Sequence, residues 1–248
     1  MTHKKSAREK PKPRLIDSDV GLTYKIQERY PFTDNQKKFI ELAQGVDTKI
    51  VLCDGPAGTA KTFLSVYVAL HALKLKKYEH ITYVRSIVES AARKLGSLPG
   101  EVDDKFRPWI IPLIEKCDEL IGPSAASSLI ENGYIHCVPV NYLRGSTFRD
   151  SVVIVDEAQN LEMSELITVL TRYGHNTKMF IIGDSFQSDI QKLCFQKVAE
   201  VFKGDDSLAR GIVNFHFTEQ DIVRDELLKF IVGKIATLNE KHPHRTAY

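Results

Sequence analysis

Cysteines are few in this sequence, and no apolar run is long enough to cross a membrane. The four cysteines lie far apart and form no Cys-x-x-Cys pair: Cys53, Cys117, Cys137 and Cys194. The usual zinc-binding spacing is therefore absent, and a reducing compartment fits this cysteine usage best. A membrane-spanning helix needs about 20 apolar residues in a row, and the N-terminus lacks the apolar segment of a signal peptide. We expect a soluble, cytoplasmic protein with no membrane partner.

Net charge is also small, at +2 over 248 residues, so the total charge does not predict binding to nucleic acid. The N-terminus is nevertheless strongly basic and carries almost no apolar side chains, with cations at Lys4, Lys5, Arg8, Lys10, Lys12 and Arg14. Such a segment cannot bury enough surface to offset the entropy of ordering. Residues 1–30 are therefore predicted to form a disordered basic tail and linker. We interpret its charge as solubilising rather than as a dedicated nucleic-acid arm.

Short apolar runs alternate along the chain with segments whose apolar residues have helical spacing. Predicted strands cover 50–53, 81–84, 135–140, 152–155, 179–182 and 213–217. Predicted helices begin after Thr33 or Asp34 and cover 62–75, 110–121, 162–173 and 221–235. This alternation is typical of an α/β fold with a mostly parallel sheet and helices on both faces. We assign residues 31–235 to one domain, with 90–133 as a helical and loop insertion and 236–248 as a frayed terminus.

A glycine-rich loop follows the first predicted strand and matches Gly-x-x-x-x-Gly-Lys-Ser/Thr at all positions but one. It consists of Gly55, Pro56, Ala57, Gly58, Thr59, Ala60, Lys61 and Thr62. Its glycines let the backbone N–H groups point at phosphate oxygens, and the following helix directs its positive end at the same anion. Lys61 is placed to bridge the β- and γ-phosphates, and Thr62 to offer its hydroxyl to Mg²⁺. The loop predicts a P-loop nucleotide site.

Ala60 is the departure from this pattern, which normally has glycine there. Alanine disfavours a positive φ, but its small side chain leaves the phosphate accessible if φ is helical.

Two later strands also end in polar residues that suit nucleotide chemistry. The run 152–155 is followed by Asp156 and Glu157, a carboxylate for the metal's water shell and a general base for an attacking water. The run 179–182 leads to Gln187, which is placed to reach the γ-phosphate or its attacking water. A turn with a solvated glutamine is the alternative for Gln187.

Charge that develops on the transferred phosphate also calls for a further cation, typically an arginine. Four arginines lie near these strand ends, loops or helices: Arg85, Arg144, Arg172 and Arg224. The sequence does not say which of them points at phosphate, and a surface salt bridge is the alternative for each.

Taken together, these residues resemble the PhoH-like family, ATPases related to the first RecA-like domain of superfamily 1 helicases, from about residue 32 to 232. The resemblance places Gln36 of Asp34-Asn35-Gln36 against the adenine base. Further matching segments are Arg85 to Glu89, Leu95 to Gly100, Tyr142 to Phe148, Asp156 to Asn160, Leu170 to Arg172, Gly183 to Gln187 and Asp221 to Arg224. Departures from the family pattern are Ser86 in place of proline, Asp225 in place of histidine, and Ala60.

The resemblance implies a P-loop NTPase of RecA-like fold that binds and hydrolyses ATP with Mg²⁺ and contacts RNA or single-stranded DNA. It also implies homo-oligomeric rings, such as hexamers, in which an arginine of one subunit completes its neighbour's site. We take Arg172 and Arg224 as the candidates, and the sequence does not say which of them acts on a neighbour. A superfamily 1 helicase needs a second RecA-like domain, which residues after Val232 are too few to form, so we expect a neighbour to supply that surface. The alternative is a nucleotide-gated assembly protein without motor activity; a P-loop kinase or a nuclease is favoured less.

Overall fold

The computed structural model describes residues 22–28, 31–86, 102–185, 193–223 and 226–241. Its centre is a six-stranded sheet with the order β3-β2-β4-β5-β1-β6, and neighbouring strands pair in parallel. The strands are β1 Ile50–Asp54, β2 His80–Arg85, β3 Ile135–Pro139, β4 Ser151–Asp156, β5 Thr177–Gly183 and β6 Ile212–His216. Each predicted strand is therefore present, and the parallel α/β architecture is confirmed.

Helices connect the strands. They are α1 Asp34–Gln44, α2 Lys61–Lys74, α3 Val102–Ile121, α4 Pro123–Glu131, α5 Met163–Leu170, α6 Cys194–Val201, α7 Asp205–Leu208 and α8 Glu226–Lys241. The first begins where the sequence predicts, because Thr33 caps it: the Thr33 side chain accepts from the backbone N–H of Gln36, and the Gln36 side chain accepts from the N–H of Thr33. This reciprocal arrangement is a capping box.

The sheet separates two hydrophobic cores, one on each face. Alternate residues of a strand enter opposite cores, since successive side chains of a strand point to opposite faces. In β4, Val152 and Ile154 pack with α2 and its neighbours, whereas Val153 and Val155 pack with residues of α5 and α6. Both faces are thus covered by helices, as the apolar strands predict.

The parallel register brings the carboxyl ends of the central strands together. Asp54 at the end of β1 lies opposite Gly183 of β5 and His216 of β6. Arg85 at the end of β2 lies opposite Asp156 of β4. Polar residues far apart in sequence therefore meet at one edge of the sheet, where ligands of such folds bind.

The prediction of a disordered linker up to residue 30 is wrong for residues 22–28. Tyr24 is buried and donates its hydroxyl to the carbonyl of Leu70 in α2, at 2.7 Å. The N–H of Gln27 donates to the carbonyl of Leu120 in α3, also at 2.7 Å. This segment is part of the packed domain, because an aromatic side chain and hydrogen bonds hold it.

Several helix bounds also differ from the predictions. Helix α3 begins at Val102 rather than 110 and continues through Pro108 and Pro112, which sequence rules treat as helix breakers. Helix α5 ends at Leu170 rather than 173.

At the C-terminal end, residues 219–221 form a short 3-10 turn, and α8 starts at Glu226 rather than 221. Helix α8 extends to Lys241 and so includes residues assigned to the frayed terminus. The sequence patterns do not predict α4, α6 and α7 individually, although α4 lies in the predicted insertion. None of the helices in the described part of the chain is long and apolar enough to span a membrane.

Candidate functional site

The glycine-rich loop begins where β1 meets the chain that leaves β6. A Cβ on Gly55 would lie 2.7 Å from the Cβ of Phe217 and 2.8 Å from its carbonyl oxygen. Only glycine allows this approach of two backbones. The loop is closed by buried Thr59, whose hydroxyl donates to the carbonyl of Pro56 at 2.9 Å.

Ala60 has left-handed backbone torsions, with φ 68° and ψ 22°, at the N-cap of α2. The helical φ on which the sequence argument for an open phosphate site was conditional is therefore not present. An L-residue in this region brings its Cβ close to the carbonyl oxygen, at a cost of about 1–2 kcal/mol that glycine avoids. The strain therefore lies at position 60, where the usual pattern has glycine.

Lys61, the first residue of α2, turns back over the loop. Its ammonium donates to the carbonyl of Gly55 at 2.5 Å and to that of Pro56 at 2.8 Å. Both acceptors are neutral loop atoms, so the loop backbone itself holds the cation at the cradle. A phosphate in the cradle would offer it charged acceptors instead.

Asp156 and Thr62 meet directly. The Thr62 hydroxyl donates to Oδ1 of Asp156 at 2.9 Å, and the hydroxyl of Tyr83 in β2 donates to Oδ2 at 2.5 Å. Asp156 is buried at 4% exposure. Burial, followed by the charge and hydrogen bond of Asp156, raises the pKa of Tyr83, so this phenol stays a donor. The aspartate is therefore fixed against the start of α2.

Hydroxyl and carboxylate oxygens are the protein ligands that Mg²⁺ prefers, usually one or two of them completed by waters and phosphate oxygens. Thr62 and Asp156 provide that donor set. The described residues hold no cluster of three or more His, Cys, Asp or Glu suited to a metal. The site thus fits an ion that is bound jointly with a phosphate and does not resemble an all-protein cage.

Glu157 follows β4 in a left-handed conformation, with φ 56°. Its Oε2 accepts from the side-chain amide of Gln159 at 2.6 Å, and its Oε1 lies 3.7 Å from a guanidinium nitrogen of Arg85. The carbonyl oxygen of the same Gln159 amide accepts from the N–H of Asp184, at 3.0 Å. The carboxylate is thus tied to β2 on one side and to the end of β5 on the other.

Gln36 is buried and contacts the loop as well as capping α1. Its side-chain N–H lies 3.4 Å from the carbonyl of Thr59, a long hydrogen bond. The residue predicted to read adenine is therefore also a structural link between α1 and the phosphate loop.

These residues line one cavity of about 930 Å³. The loop, the acidic pair and Gln36 form its floor, and three segments distant in sequence form its walls. The segment before α1 contributes Glu28 and Phe32, helix α3 contributes Lys116 and Glu119, and the C-terminal part contributes Gln220, Ile222, Val223, Glu226 and Lys229. The predicted insertion is thus a wall of the site.

The structure separates the candidate arginines. Arg85 lies beside Glu157. Arg172 instead follows α5 near the start of β5: it donates to the carbonyl of Ser146 at 3.3 Å, and its own carbonyl accepts from the N–H of Phe148. Arg172 therefore lies near the amino ends of β4 and β5, whereas the phosphate loop lies at the carboxyl ends of the strands. Arg172 does not line the cavity, so it is not part of this chain's own site. Gln187 and Arg224 lie outside the described residues.

Three residues of the site were not singled out from the sequence. Tyr83, Gln159 and Asp54 each bond to a loop or acidic residue that was. Gln159 and Asp54 sit within or beside the recognised motifs, which was the available signal. Tyr83 carried none, because a tyrosine in a strand is an ordinary core residue.

Comparison with known proteins finds sequence similarity along most of the chain. The model of the PhoH-like protein family matches residues 29–236. The PhoH-like protein of Synechocystis sp. is 37% identical over 203 residues, which cover 81% of this chain and 60% of that protein. The PhoH-like protein of Bacillus subtilis is 36% identical over 203 residues, covering 81% and 61%. Protein PhoH of Escherichia coli K12 is 30% identical over 214 residues, covering 84% and 59%.

This chain spans about 60% of the length of those relatives. Among solved structures, the large terminase of a thermophilic bacteriophage aligns with a TM-score of 0.47 at 11% identity, over 87% of this chain and 52% of that one. The SWI2/SNF2 ATPase core of Sulfolobus solfataricus, in complex with double-stranded DNA, aligns with a TM-score of 0.46 at 13% identity, over 82% and 47%. The family assignment depends on the sequence matches alone. The chain belongs to the PhoH-like family.

Proposed function

We propose that this protein binds ATP together with Mg²⁺ and hydrolyses the γ-phosphate bond. The observation that carries the proposal is the contact between Thr62 of the phosphate loop and Asp156 at the end of β4, at 2.9 Å. It joins the two motifs, 94 residues apart, that an NTPase needs at one point. Glu157 follows Asp156 directly and faces the same cavity.

In this proposal, the backbone N–H groups from Ala57 to Thr62 surround the phosphates, and Lys61 exchanges its loop carbonyls for β- and γ-phosphate oxygens. Thr62 and Asp156 would hold the ion, directly or through its water shell. When bound, Mg²⁺ neutralises negative charge on the phosphate oxygens. Gln36 would contact the base, since it lines the cavity beside the loop.

Glu157 is the proposed general base. A water that attacks the γ-phosphorus would transfer a proton to its carboxylate. The hydrogen bond from Gln159 orients that carboxylate, and a guanidinium nitrogen of Arg85 lies 3.7 Å from its other oxygen. We propose water rather than another acceptor of the phosphoryl group, because the protein holds Glu157 where it can take a proton from a water.

A nucleic acid, RNA or single-stranded DNA, and further copies of the chain are the proposed partners. The nucleic acid is proposed from the resemblance to helicase-related ATPases, and further copies are proposed from the cations that line the cavity. Among the described residues that line it, the only cations are Lys61, Lys116 and Lys229. An arginine for the transition state would therefore come from Arg85 after a side-chain movement, from Arg224, or from Arg172 of another copy.

ATP turnover in the presence and absence of single-stranded RNA and DNA tests this function. We expect turnover by the protein alone and a higher rate with one of the nucleic acids at low salt, where contacts to phosphates are strongest. Rates that stay the same across a range of low salt would remove the nucleic acid from the proposal. Absence of any turnover would remove hydrolysis.

A nucleotide-gated assembly protein is the second candidate. One observation favours it: α8 exposes Leu227 at 63%, Phe230 at 61% and Ile231 at 42%, while Glu226 and Lys229 of the same helix line the cavity. Light scattering of the free protein, its ADP complex and its complex with an ATP analogue distinguishes the two. A particle size that does not respond to nucleotide argues against this candidate.

A further inference from the structure

Asp54, the last residue of β1, places its carboxylate between the phosphate loop and the end of β5. Its Oδ1 accepts from the N–H of Gly55 at 2.9 Å and from the N–H of Ser185 at 2.9 Å. Its Oδ2 accepts from the hydroxyl of Ser185 at 2.7 Å. One carboxylate therefore bonds to the first residue of the loop and twice to the residue that follows β5 and Asp184.

A third strand end meets the same residue. The N–H of Phe217, just after β6, donates to the backbone carbonyl of Asp54 at 2.9 Å, and His216 Nδ1 lies 3.7 Å from Oδ2. The side chain of Asp54 is 22% exposed, so these hydrogen bonds are shielded in part from water. Hydrogen bonds to a charged group of this kind are stronger than those between neutral groups.

The bonds of Asp54 continue into the loop. Gly55 donates its N–H to Asp54 and accepts at its carbonyl from the ammonium of Lys61, at 2.5 Å. If Lys61 moves to a phosphate, its hydrogen bond to the Gly55 carbonyl is lost. Gly55 then keeps only its N–H bond to Asp54. Gly55 therefore bonds both to the cation of the phosphate site and to the residue that anchors Ser185.

The segment after β5 is held at two successive amides by different parts of the site. The N–H of Asp184 donates to Gln159, which also holds Glu157, and the N–H of Ser185 donates to Asp54. Residues 184 and 185 therefore bond through one amide to the partner of the proposed base and through the next to the anchor of the phosphate loop.

We propose that Asp54 is a positioning residue that couples occupancy of the phosphate loop to the chain at Asp184 and Ser185, and through Gln159 to the orientation of Glu157. The proposal rests on the proposed nucleotide function of this site. No covalent step is assigned to Asp54. Its effect passes through hydrogen bonds that change together when Lys61 changes partner.

Amide hydrogen exchange of Asp184 and Ser185 tests the coupling without any need for turnover. In the unmodified protein we expect their exchange rates to change when a non-hydrolysable ATP analogue binds. Asp54→Ala removes all three side-chain bonds, and the change in exchange should disappear even when the variant is saturated with nucleotide. The turnover number should fall about 10- to 100-fold, the size of a lost hydrogen bond to a charged group.

If Asp54→Ala does not fold, two milder variants still test the coupling. Ser185→Ala removes only the bond to Oδ2 and should reduce both the exchange response and turnover, by about 3- to 10-fold for turnover. Asp54→Asn keeps the shape and the acceptor at Oδ1 but loses the charge and the acceptor at Oδ2, so its effect should be at least that of Ser185→Ala and smaller than that of Asp54→Ala. Asp47→Ala, at an exposed aspartate in the turn before β1, is the matched control and should leave the response unchanged.

Two results would overturn the coupling. One is an exchange response of normal size in folded Asp54→Ala or Ser185→Ala. The other is an unmodified protein in which nucleotide binds but the amides of Asp184 and Ser185 do not respond. Both differ from failure of the proposed function, which would appear as absent nucleotide binding or absent turnover in the unmodified protein.

Discussion

The Lys61 ammonium lies against two loop carbonyls, those of Gly55 and Pro56, and a phosphate would replace these neutral acceptors with charged ones. A hydrogen bond to a charged group contributes about 1.5–3 kcal/mol. Lys61→Ala should therefore weaken binding of an ATP analogue by about 10- to 150-fold or more, since a lysine can bond to two phosphates. Fluorescence titration measures this. Lys38→Ala, at an exposed lysine of α1, is the control, and unchanged affinity in Lys61→Ala would contradict the site.

Glu157→Gln separates binding from hydrolysis. The substituted amide keeps an oxygen that can accept from Gln159, so the local structure and nucleotide affinity should be preserved. The side chain loses its capacity to take a proton, and turnover should fall about 10²- to 10⁴-fold. Single-turnover kinetics with Glu131→Gln, an exposed position at the end of α4, provides the comparison. Normal hydrolysis by Glu157→Gln would show that the mechanism is wrong.

Ala60 is strained, and its substitutions should show it. Ala60→Gly relieves the left-handed strain but gives the unfolded chain more freedom, effects of about 1–2 and 0.4–1 kcal/mol that oppose each other. The free energy of unfolding should therefore rise by about 0–1.6 kcal/mol. Ala60→Val should lower it by more than about 2 kcal/mol, because a β-branched residue at positive φ is a true outlier. Urea unfolding of both variants checks the pair; equal stability would mean that position 60 is not strained.

At the scale of elements, sequence predicted strands better than helices. The strands β4 and β5 are apolar runs that end sharply at polar residues, so a local pattern fixes them. Helix α3 was predicted only from residue 110 because Pro108 is a local breaker. Pro112 lies inside the predicted helix, next to Leu113, which is buried in the core with Cys117 and Leu120. Tertiary packing outweighs the low helix propensity of proline there, and tertiary packing cannot be predicted from a short segment of sequence.

Lys178 shows how an element is docked by a buried charge. It lies in β5 at 5% exposure and donates to the carbonyls of Ala43 and Gly45, where α1 ends, at 2.5 and 2.9 Å. A cation at the carboxyl end of a helix faces favourable dipoles. Burial, with the neighbouring Lys77 as the second cause, lowers the pKa of Lys178 from 10.5 to about 8.

The sign of the pH effect follows from this lowered pKa. Between pH 8 and 10.5 the unfolded chain holds the proton that the folded protein has released, so the free energy of unfolding should rise with pH across that interval. The rise is at most about 3 kcal/mol, at about 1.4 kcal/mol for each pH unit. Urea unfolding from about pH 7 to 10.5 measures it as the difference from Lys178→Met, which lacks the amine. Lys38→Met should match the unmodified protein, and a flat difference would refute the assignment.

At the scale of the molecule, the cavity is built from parts that no local motif connects. Glu28, Lys116 and Lys229 line it together, although they come from the N-terminal segment, the insertion and the C-terminal helix. The floor could be predicted because the phosphate loop and the acidic pair have short signatures with a chemical reason behind them. The walls could not, because their residues are defined only by contacts between distant segments. The left-handed torsions of Ala60 could not be predicted from the residue either, because alanine disfavours a positive φ.

The N-terminal segment 22–28 contributes both to the cavity wall and to the stability of the folded domain. Tyr24 is buried between α2 and α3, and Glu28, four residues later, both lines the cavity and bonds to the Tyr67 hydroxyl. Tyr24→Ala should lower the free energy of unfolding by about 3–5 kcal/mol through loss of a buried ring. Tyr24→Phe, which loses only the bond to Leu70, should lower it by about 1 kcal/mol.

Tyr24→Ala should also affect nucleotide binding. Because the segment carries Glu28 into the cavity wall, Tyr24→Ala should weaken binding of an ATP analogue even where the rest of the domain stays folded, whereas Tyr24→Phe should not. Chemical unfolding and fluorescence titration on the two variants, with the exposed neighbour Lys25→Ala as control, measure both effects. If Tyr24→Ala matched Lys25→Ala in stability, the segment would be an attached linker after all. If stability fell while affinity held, the segment would be part of the fold but not of the site.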